Sequence, residues 1–412
     1  MIVFHHPFKR FLIVALCFIV CSITGLSEIT FQGLQYQVID ENEKTVEVLG
    51  FGDNPVVENL VIPAQISYLD QSYEVTQIAS RAFSFCENLK AVTMPSSVTD
   101  MGEKTFYSCK NLTNITLSES LKSLEKEVFY GCVSLVKIRI PASVSILGEN
   151  FSGDCKSLAE IEVAEGNPNF CVEDGILFNK EKDILFRCPQ KRAGQYSIPE
   201  SVTNINDFAF YGCYDLTSVD IPNTVNTIGR GAFILCNNIT ALTIPESVKL
   251  IENYAFNDWH SLESLAIPNS VDVIGAMVFV NCTNLKTVTL PTELKEVGDH
   301  LFEYSSNIES VYYNAVDPME SNLRFDGTVF DNAVLYVNPE AIEKVKTIVP
   351  WCYFNHIQPN NTSGIDDVIE AQKSETEVYN LNGIKIGTDT EGLPSGIYLV
   401  RQGDKVKKLY VK

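Results

Sequence analysis

Apolar residues recur along this chain with a period of 23 positions, from about residue 63 to residue 313. Residues 221–243 read IPNTVNTIGRGAFILCNNITALT, and residues 244–266 repeat the same apolar offsets as IPESVKLIENYAFNDWHSLESLA. Three residue types keep this period: Pro222, Pro245, Pro268 and Pro291; Phe83, Phe106, Phe129, Phe210, Phe233, Phe256, Phe279 and Phe302; and Cys86, Cys109, Cys132, Cys155, Cys213, Cys236 and Cys282. A period shared by three residue types indicates a repeat architecture.

One repeat divides into two parts. The run LTSVDIP at 216–222 alternates apolar and polar positions, which predicts a short strand that ends at Pro222, because proline lacks an N–H group. The compact apolar run RGAFILC favours a helical turn or an irregular arc. A single repeat is too small to bury its own apolar side chains, so stacked repeats must share one core. The sequence therefore predicts an α/β-type repeat solenoid.

The order L-x-x-V-x-I, then P-x-S-V-x-x-I-G-x-x-A-F, resembles the BspA-like leucine-rich repeats of bacterial surface proteins. We count nine copies, with local departures such as Phe151, which comes one position early. The resemblance implies a leucine-rich-repeat solenoid with a cap at each end, because an open end would expose its core. We predict a signal peptide at 1–27, an N-terminal β cap at 28–62, repeats at 63–163, a β-hairpin insertion at 164–198, repeats at 199–313, a C-terminal cap at 314–358, a linker at 359–376 and a β module at 377–412.

Both ends of the chain carry features of an exported protein. Lys9 and Arg10 precede the apolar run FLIVALCFIV, which is too short to span a bilayer and suits a secretory signal cleaved after Ser27. Lipidation at Cys21 is an open alternative. The tail sequences VYNLNG, LPSGIYLV and KKLYVK predict three short strands, and the tail resembles the sorting domain of type IX secretion cargo. That resemblance implies a secreted or cell-surface protein; the alternative is a β module that sorts nothing.

Charge and residue chemistry narrow the function. The formal net charge of −21 argues against nucleic acid and anionic lipid as partners. No G-x-S-x-G motif occurs, and His260, His300 and His356 lack paired ligand spacing, so we predict no enzyme activity, no cofactor and no metal site. The cysteines at one repeat offset, where Trp259 takes the same slot, predict buried free thiols. A disulfide between Cys171 and Cys188 is left open.

Strand alternation places two columns of side chains away from the core. Apart from small residues, these columns contain the candidate partner-binding face, which consists of Asn114, Lys137, Arg139, Glu160, Glu162, Asp220, Thr243, Thr289 and Tyr312. The face is a broad surface of mostly small polar groups, and Arg139 and Tyr312 are its members of the residue types favoured in binding hot spots.

The family resemblance implies an adhesin-like binding protein whose partners are host extracellular proteins, glycoproteins or other bacterial cells. Two alternatives stay open. One is an envelope scaffold without a specific ligand, which a bland face would favour. The other is a glycan-binding accessory protein, for which Tyr312, Tyr313 and Trp351 form the candidate aromatic cluster.

Overall fold

The computed structural model describes residues 28–52 and 56–360 with their side chains, and the backbone of residues 376–379, 385–387, 396–402 and 405–411. The predicted signal peptide, and most of the predicted linker, lie outside the described residues. The chain forms two compact units, Met1–Arg192 with Asn206–Asp215, and Ala193–Ile205 with Leu216–Lys412. The domain boundaries proposed from the sequence stay predictions.

The first unit begins with an N-terminal sheet and continues into repeating turns. Its strands are β1 (Ile29–Phe31), β2 (Leu34–Asp40), β3 (Thr45–Phe51), β4 (Asn59–Val61), β5 (Gln65–Tyr68), β6 (Gln71–Ile78), β7 (Ala91–Thr93), β8 (Asp100–Met101), β9 (Asn114–Thr116), β10 (Ser123–Leu124), β11 (Lys137–Ile140), β12 (Ile146–Leu147), β13 (Glu160–Val163), β14 (Phe170–Glu173), β15 (Ile176–Asn179) and β16 (Ile184–Arg187). The N-terminal sheet has the order β1-β2-β3-β6-β5, and β8 pairs with β6. Strands β14, β15 and β16 pair antiparallel and form a ribbon within this unit.

The second unit repeats the same turns. Its strands are β17 (Gly194–Ser197), β18 (Asn204–Ile205), β19 (Leu216–Asp220), β20 (Thr227–Ile228), β21 (Leu250–Ile251), β22 (Ser264–Ala266), β23 (Val273–Ile274), β24 (Thr287–Leu290), β25 (Glu296–Val297), β26 (Ser310–Tyr313), β27 (Val334–Val337) and β28 (His356–Pro359). Its helices are α1 (Gly327–Asn332) and α2 (Ile342–Val345), with 3₁₀ turns at Pro339–Ala341 and Trp351–Tyr353. Strands β22, β24, β26, β27 and β28 form a five-stranded parallel sheet in that order.

Two parallel ladders run through the repeats. The first consists of the predicted alternating strands, in the sets β4-β7-β9 and β11-β13 of the first unit. The second consists of two-residue strands that end at the repeated aliphatic residue of the I-G position, such as Ile228 and Ile274. In the second unit they pair in the order β18-β20-β21-β23-β25. The sequence did not reveal this second ladder, because two residues are too few to show an alternation. The arc RGAFILC is a series of turns rather than a helix.

Phenylalanine rings build the centre of each unit. In the first unit Phe83 stacks on Phe106 at 5.5 Å and Phe106 on Phe129 at 5.9 Å between ring centroids. In the second unit the stack runs through Phe233, Phe256, Phe279, Phe302 and Phe325, with centroid separations of 5.0–5.5 Å. These rings are buried, because the parallel in-register turns place the same offset of each repeat directly above the last. The fold is the predicted leucine-rich-repeat solenoid, made mostly of strands and turns.

The tail differs from the sequence prediction in its strand number. Its backbone forms four antiparallel strands, β29 (Thr376–Tyr379), β30 (Lys385–Gly387), β31 (Gly396–Gln402) and β32 (Lys405–Val411), in the order β30-β29-β31-β32. The sequence predicted three strands and missed β30. Its three residues are too few to show a periodic pattern.

Candidate functional site

The outward side chains of the first ladder form the columns that the sequence predicts. In the first unit, Lys137 of β11 lies in register with Glu160 of β13, and Arg139 lies in register with Glu162. The residue between each pair points inward, and Ile138 and Ile161 are buried. In-register parallel pairing therefore turns the 23-residue sequence period into rows of side chains on one surface.

A compact charged cluster lies on β11 and β13. The Lys137 ammonium is 3.4 Å from a Glu160 carboxylate oxygen and 2.5 Å from one of Glu162, and the Arg139 guanidinium pairs with Glu119. Hydrogen bonding to Lys137 lowers the pKa of the Glu162 carboxyl, and the same contact raises the pKa of Lys137. All five side chains are 41–58% exposed, so the cluster is a solvated surface on which both signs of charge are available to a partner.

Glu119 belongs to this cluster although it was not among the candidate residues. It lies in the turn after β9, where strand alternation does not predict the direction of a side chain. Its position beside Arg139 depends on how the turn crosses the surface. Asn114 on β9 is exposed and in register with Ala91 of β7.

In the second unit the predicted residues are more dispersed. Asp220 at the end of β19 is exposed and accepts a hydrogen bond of 2.9 Å from the Ser197 hydroxyl of the neighbouring strand β17. Thr243 is exposed, but residues 239–243 form no strand, so the predicted strand there is wrong. We find no feature of this repeat's sequence that explains the difference.

Thr289 does not lie on the exposed face. Its side chain is only 4% exposed, and its hydroxyl oxygen is buried without a hydrogen-bond partner among the described residues. Its in-register neighbours are Ala266 of β22 and Tyr312 of β26. Strand alternation predicted an outward, exposed Thr289, whereas the structure buries its side chain.

Tyr312 has an aromatic partner that the sequence prediction missed. Its ring stacks on that of Tyr336 in β27, at 4.7 Å between centroids and 11° between planes. Residues 314–358 were assigned to a cap, whereas β27 and β28 continue the parallel sheet and the outward column. The Val334–Val337 run VLYV carries the same alternation as the repeats and was the available signal.

Two members of the aromatic cluster considered for glycan binding lie in the core. Tyr313 and Trp351 are buried, and their rings stack on each other at 4.2 Å. The Trp351 indole donates a hydrogen bond to the Met319 carbonyl, and the Tyr313 hydroxyl accepts one from the Met319 backbone. These side chains therefore fasten the segment after β26 and present no ring face to a ligand.

The recurrent cysteines are buried thiols, as predicted, with Cys86 half-buried. Cys109, Cys132 and Cys155 each donate to the carbonyl of the phenylalanine 26 positions earlier, at 3.0–3.1 Å. Cys171 and Cys188 are separate free thiols in this structure. Across the described ranges, no three His, Cys, Asp or Glu side chains are placed to hold a metal ion. In the same ranges, no helix is long and apolar enough to cross a membrane.

The fold and its repeats can be compared with known proteins. Residues 63–172 and 188–321 match the family described as BspA type Leucine rich repeat region, in six copies, where the sequence period suggested nine. No curated protein matches the chain.

Solved structures show a related fold. The chain is similar to the pneumococcal vaccine antigen PcpA, with a TM-score of 0.60 and 20% identity over 82% of this chain and 99% of that one. A leucine-rich repeat protein of Bacteroides ovatus gives a TM-score of 0.46 and 22% identity over 77% and 80% of the two chains. A leucine rich cell surface protein of Faecalibacterium prausnitzii gives 0.40 and 21% over 70% and 94%. With more than half of its residues matched, the chain belongs to the BspA type leucine-rich-repeat family.

Proposed function

We propose that this protein is an exported, cell-surface or secreted binding module that acts like an adhesin. Its partners are host extracellular proteins, glycoproteins or other bacterial cells. Family membership supports a surface role, and the similar structure with a TM-score of 0.60 is a pneumococcal vaccine antigen. The predicted signal peptide at 1–27 and the sorting-domain-like tail at 377–412 support the same location.

The observation that carries the proposal is the exposed charged cluster on β11 and β13. Backbone pairing of β11 with β13 holds Lys137, Arg139, Glu160 and Glu162 on adjacent turns, and Glu119 pairs with Arg139 from the turn after β9. A partner with a matching pattern of charges can exchange these surface ion pairs for its own at little cost, because exposed ion pairs contribute little stability. Electrostatic complementarity of this kind steers encounter and selects partners.

The alternative of a glycan-binding accessory protein depended on an exposed aromatic cluster. Tyr313 and Trp351 of that cluster are buried, so this support is gone. The envelope scaffold without a specific ligand is tested directly by the same experiment as adhesion.

The full-length protein should be applied at physiological salt to arrays of matrix proteins, mucins, polysaccharides and bacterial cells. Saturable binding to a protein or a cell is expected. The double variant K137E/R139E reverses the cationic part of the cluster and should weaken that binding at least about tenfold, as for residues at the centre of an interface. The matched control is K122E, which breaks the exposed Lys122–Asp100 pair outside the columns and should bind like the wild type.

Each result has a distinct meaning. Equal binding by the wild type and K137E/R139E would show that the binding site does not include the cationic residues of β11. Binding to polysaccharide alone would favour nutrient capture, and no saturable binding to any surface would favour the scaffold.

A further inference from the structure

Arg187, the last residue of β16, is a buried cation on the ribbon formed by β14, β15 and β16. Its side chain is only 2% exposed. Arginine is rarely buried to this extent unless a carboxylate or a set of acceptors compensates its charge. Its position is also unusual within the chain, because residues 173–187 fall in the gap between the two stretches that match the repeat family.

The guanidinium bridges two turns of the first unit. Its Nη2 donates to the Ser152 carbonyl at 2.8 Å, and its Nη1 donates to the Phe208 carbonyl at 2.5 Å. A longer contact of 3.5 Å joins Nη1 to the Asn150 side-chain oxygen. Arg187 thus supplies donors to backbone carbonyls at the point where the insertion interrupts the regular turns.

These contacts leave one guanidinium donor without an acceptor and the positive charge without an ion-pair partner. A guanidinium has five N–H donors, and the Nε–H of Arg187 has no partner. All three of its acceptors are neutral groups, and no described carboxylate forms an ion pair with it. The titratable groups that act on it are the thiols of Cys213, Cys155 and Cys188 and the Tyr211 phenol.

Two of these groups, Cys155 and Tyr211, are uncharged at neutral pH and so provide no counter-charge. Burial raises the pKa of Cys155 to about 12 and also raises the pKa of the Tyr211 phenol. Burial lowers the pKa of Arg187, yet a guanidinium stays protonated in proteins. A charge in this environment is costly unless an opposite charge comes close to it.

A cavity of about 200 Å³ adjoins Arg187. Its lining residues include the apolar Leu147, Phe151 and Phe186 and the polar Asn150 and Asn206. A water molecule occupies about 30 Å³ in the liquid, so the space is large enough for a small ion with some hydration. Glu149 and Asp207 also line it, and Glu149 is paired with Lys126 at 3.0 Å.

We propose that this cavity binds a small monovalent anion, either a halide or a short carboxylate, beside Arg187. The anion supplies the missing counter-charge, and the amides of Asn150 and Asn206 are the available neutral donors. The two carboxylates on the wall make the site unfavourable for divalent anions such as sulfate and phosphate. Phe186 and Arg187 come from the insertion, and the other lining residues come from the repeat turns before and after it. None of them belongs to the proposed partner-binding face.

Crystals of the full-length protein soaked in sodium bromide test the proposal directly. An anomalous peak is expected in the cavity, within hydrogen-bonding distance of the Arg187 guanidinium. Unbroken water density there, with no anomalous signal, would overturn the proposal for a halide.

Thermal unfolding distinguishes halide binding from carboxylate binding and so also tests the carboxylate, which the bromide soak does not. Sodium chloride, acetate and butyrate should be compared with sodium sulfate at matched ionic strength. At least one monovalent anion should raise the melting temperature of the wild type saturably, by about 2 °C. R187M should lose this response and R187K should retain part of it.

R192M is the matched control, since Arg192 pairs with Asp174 at 2.5 Å and does not line the cavity. It should respond like the wild type. An equal response of R187M and R192M would overturn the proposal. If R187M does not fold, the bromide soak and an acetate titration of the wild type followed by calorimetry decide the matter, with no peak and no heat as the negative result.

Discussion

The glycines that follow second-ladder strands show how one position can be fixed by its neighbouring turn. Gly148, Gly275 and Gly298 follow β12, β23 and β25, and none of them has a positive φ. A Cβ on Gly298 would lie 2.3 Å from the backbone nitrogen of Ala276 in the preceding turn. Glycine is needed because two backbones approach each other closely, and conformational freedom is not the reason.

This reasoning predicts a clear difference between two alanine substitutions in the second unit. Gly298→Ala should destabilise the protein by about 1–3 kcal/mol, as other overpacked sites do. Gly327→Ala is the control, because no atom lies within 4 Å of the added Cβ at the start of α1. It should be neutral or slightly stabilising. Chemical denaturation of both variants measures the difference, and equal midpoints would contradict the close-approach argument.

True left-handed positions occur elsewhere in the repeat. Residues with positive φ recur every 23 positions, as at Lys104 and Glu127 and again at Ser108 and Gly131. Most of these positions carry residues other than glycine, at a cost of roughly 1–2 kcal/mol each. The sequence gives no sign of this geometry, because the turns accept many residue types there.

The buried thiols make stability depend on alkaline pH. The pKa of Cys155 and of Cys282 is raised by burial from 9.0 to about 12. Above pH 9 the unfolded chain therefore releases protons that the folded chain retains, so stability falls as the pH rises from 9 towards 12. Guanidinium midpoints measured across this range should decrease steadily.

Cys155→Ala isolates this effect, because it removes one such thiol and should show a shallower decrease than the wild type. Cys352→Ala, which removes a half-buried cysteine in the second unit, is the matched control. A decrease of the same steepness in all three proteins would mean that other groups cause the alkaline instability.

At the scale of the element, the phenylalanine stack connects one turn to the next. Aromatic pairs contribute about 0.5–1.5 kcal/mol beyond their buried area. Since Phe256 and Phe279 stack at 5.4 Å and are nearly parallel, the contribution belongs to the pair and not to either ring. Each turn of the second unit is thus coupled to the adjacent turns.

A double-mutant cycle tests this nearest-neighbour coupling. Phe256→Leu and Phe279→Leu should show an interaction energy of about 0.5–1.5 kcal/mol in equilibrium unfolding. Phe233→Leu and Phe302→Leu, which lie in the same stack without touching, should add within about 0.5 kcal/mol. Coupling of similar size in both cycles would show that the whole unit responds as one body.

The sequence period was sufficient to predict the features that recur in every stacked turn. It predicted most strands of the first ladder, the buried phenylalanines and the register that brings Lys137 beside Glu160. It was insufficient where a residue's environment comes from a neighbouring turn. The burial of Thr289, the pairing of Arg139 with Glu119 and the stacking of Tyr312 on Tyr336 all depend on which side chain or loop lies beside each one. A single repeat does not contain that information.

At the scale of the whole molecule, all ten described cysteines are free thiols, whereas the sequence predicts an exported protein. Reduction should therefore leave both the melting temperature and the intact mass unchanged. The measurements are thermal unfolding with and without dithiothreitol, and mass spectrometry after alkylation in denaturant. A mass lower by two hydrogens before reduction would reveal a disulfide and would revive the Cys171–Cys188 pair.

The same in-register pairing gives the solenoid a built-in unit of length. Each period of 23 residues adds one strand to the first ladder, and neighbouring strands lie about 4.8 Å apart. Duplication or loss of one full period would lengthen or shorten the outer surface by that step and keep every column in phase. A change of another length has to be absorbed within one turn, as in the 24-residue step from Ser310 to Val334. Such a chain can change its reach by whole steps and keep the residues of an existing face aligned.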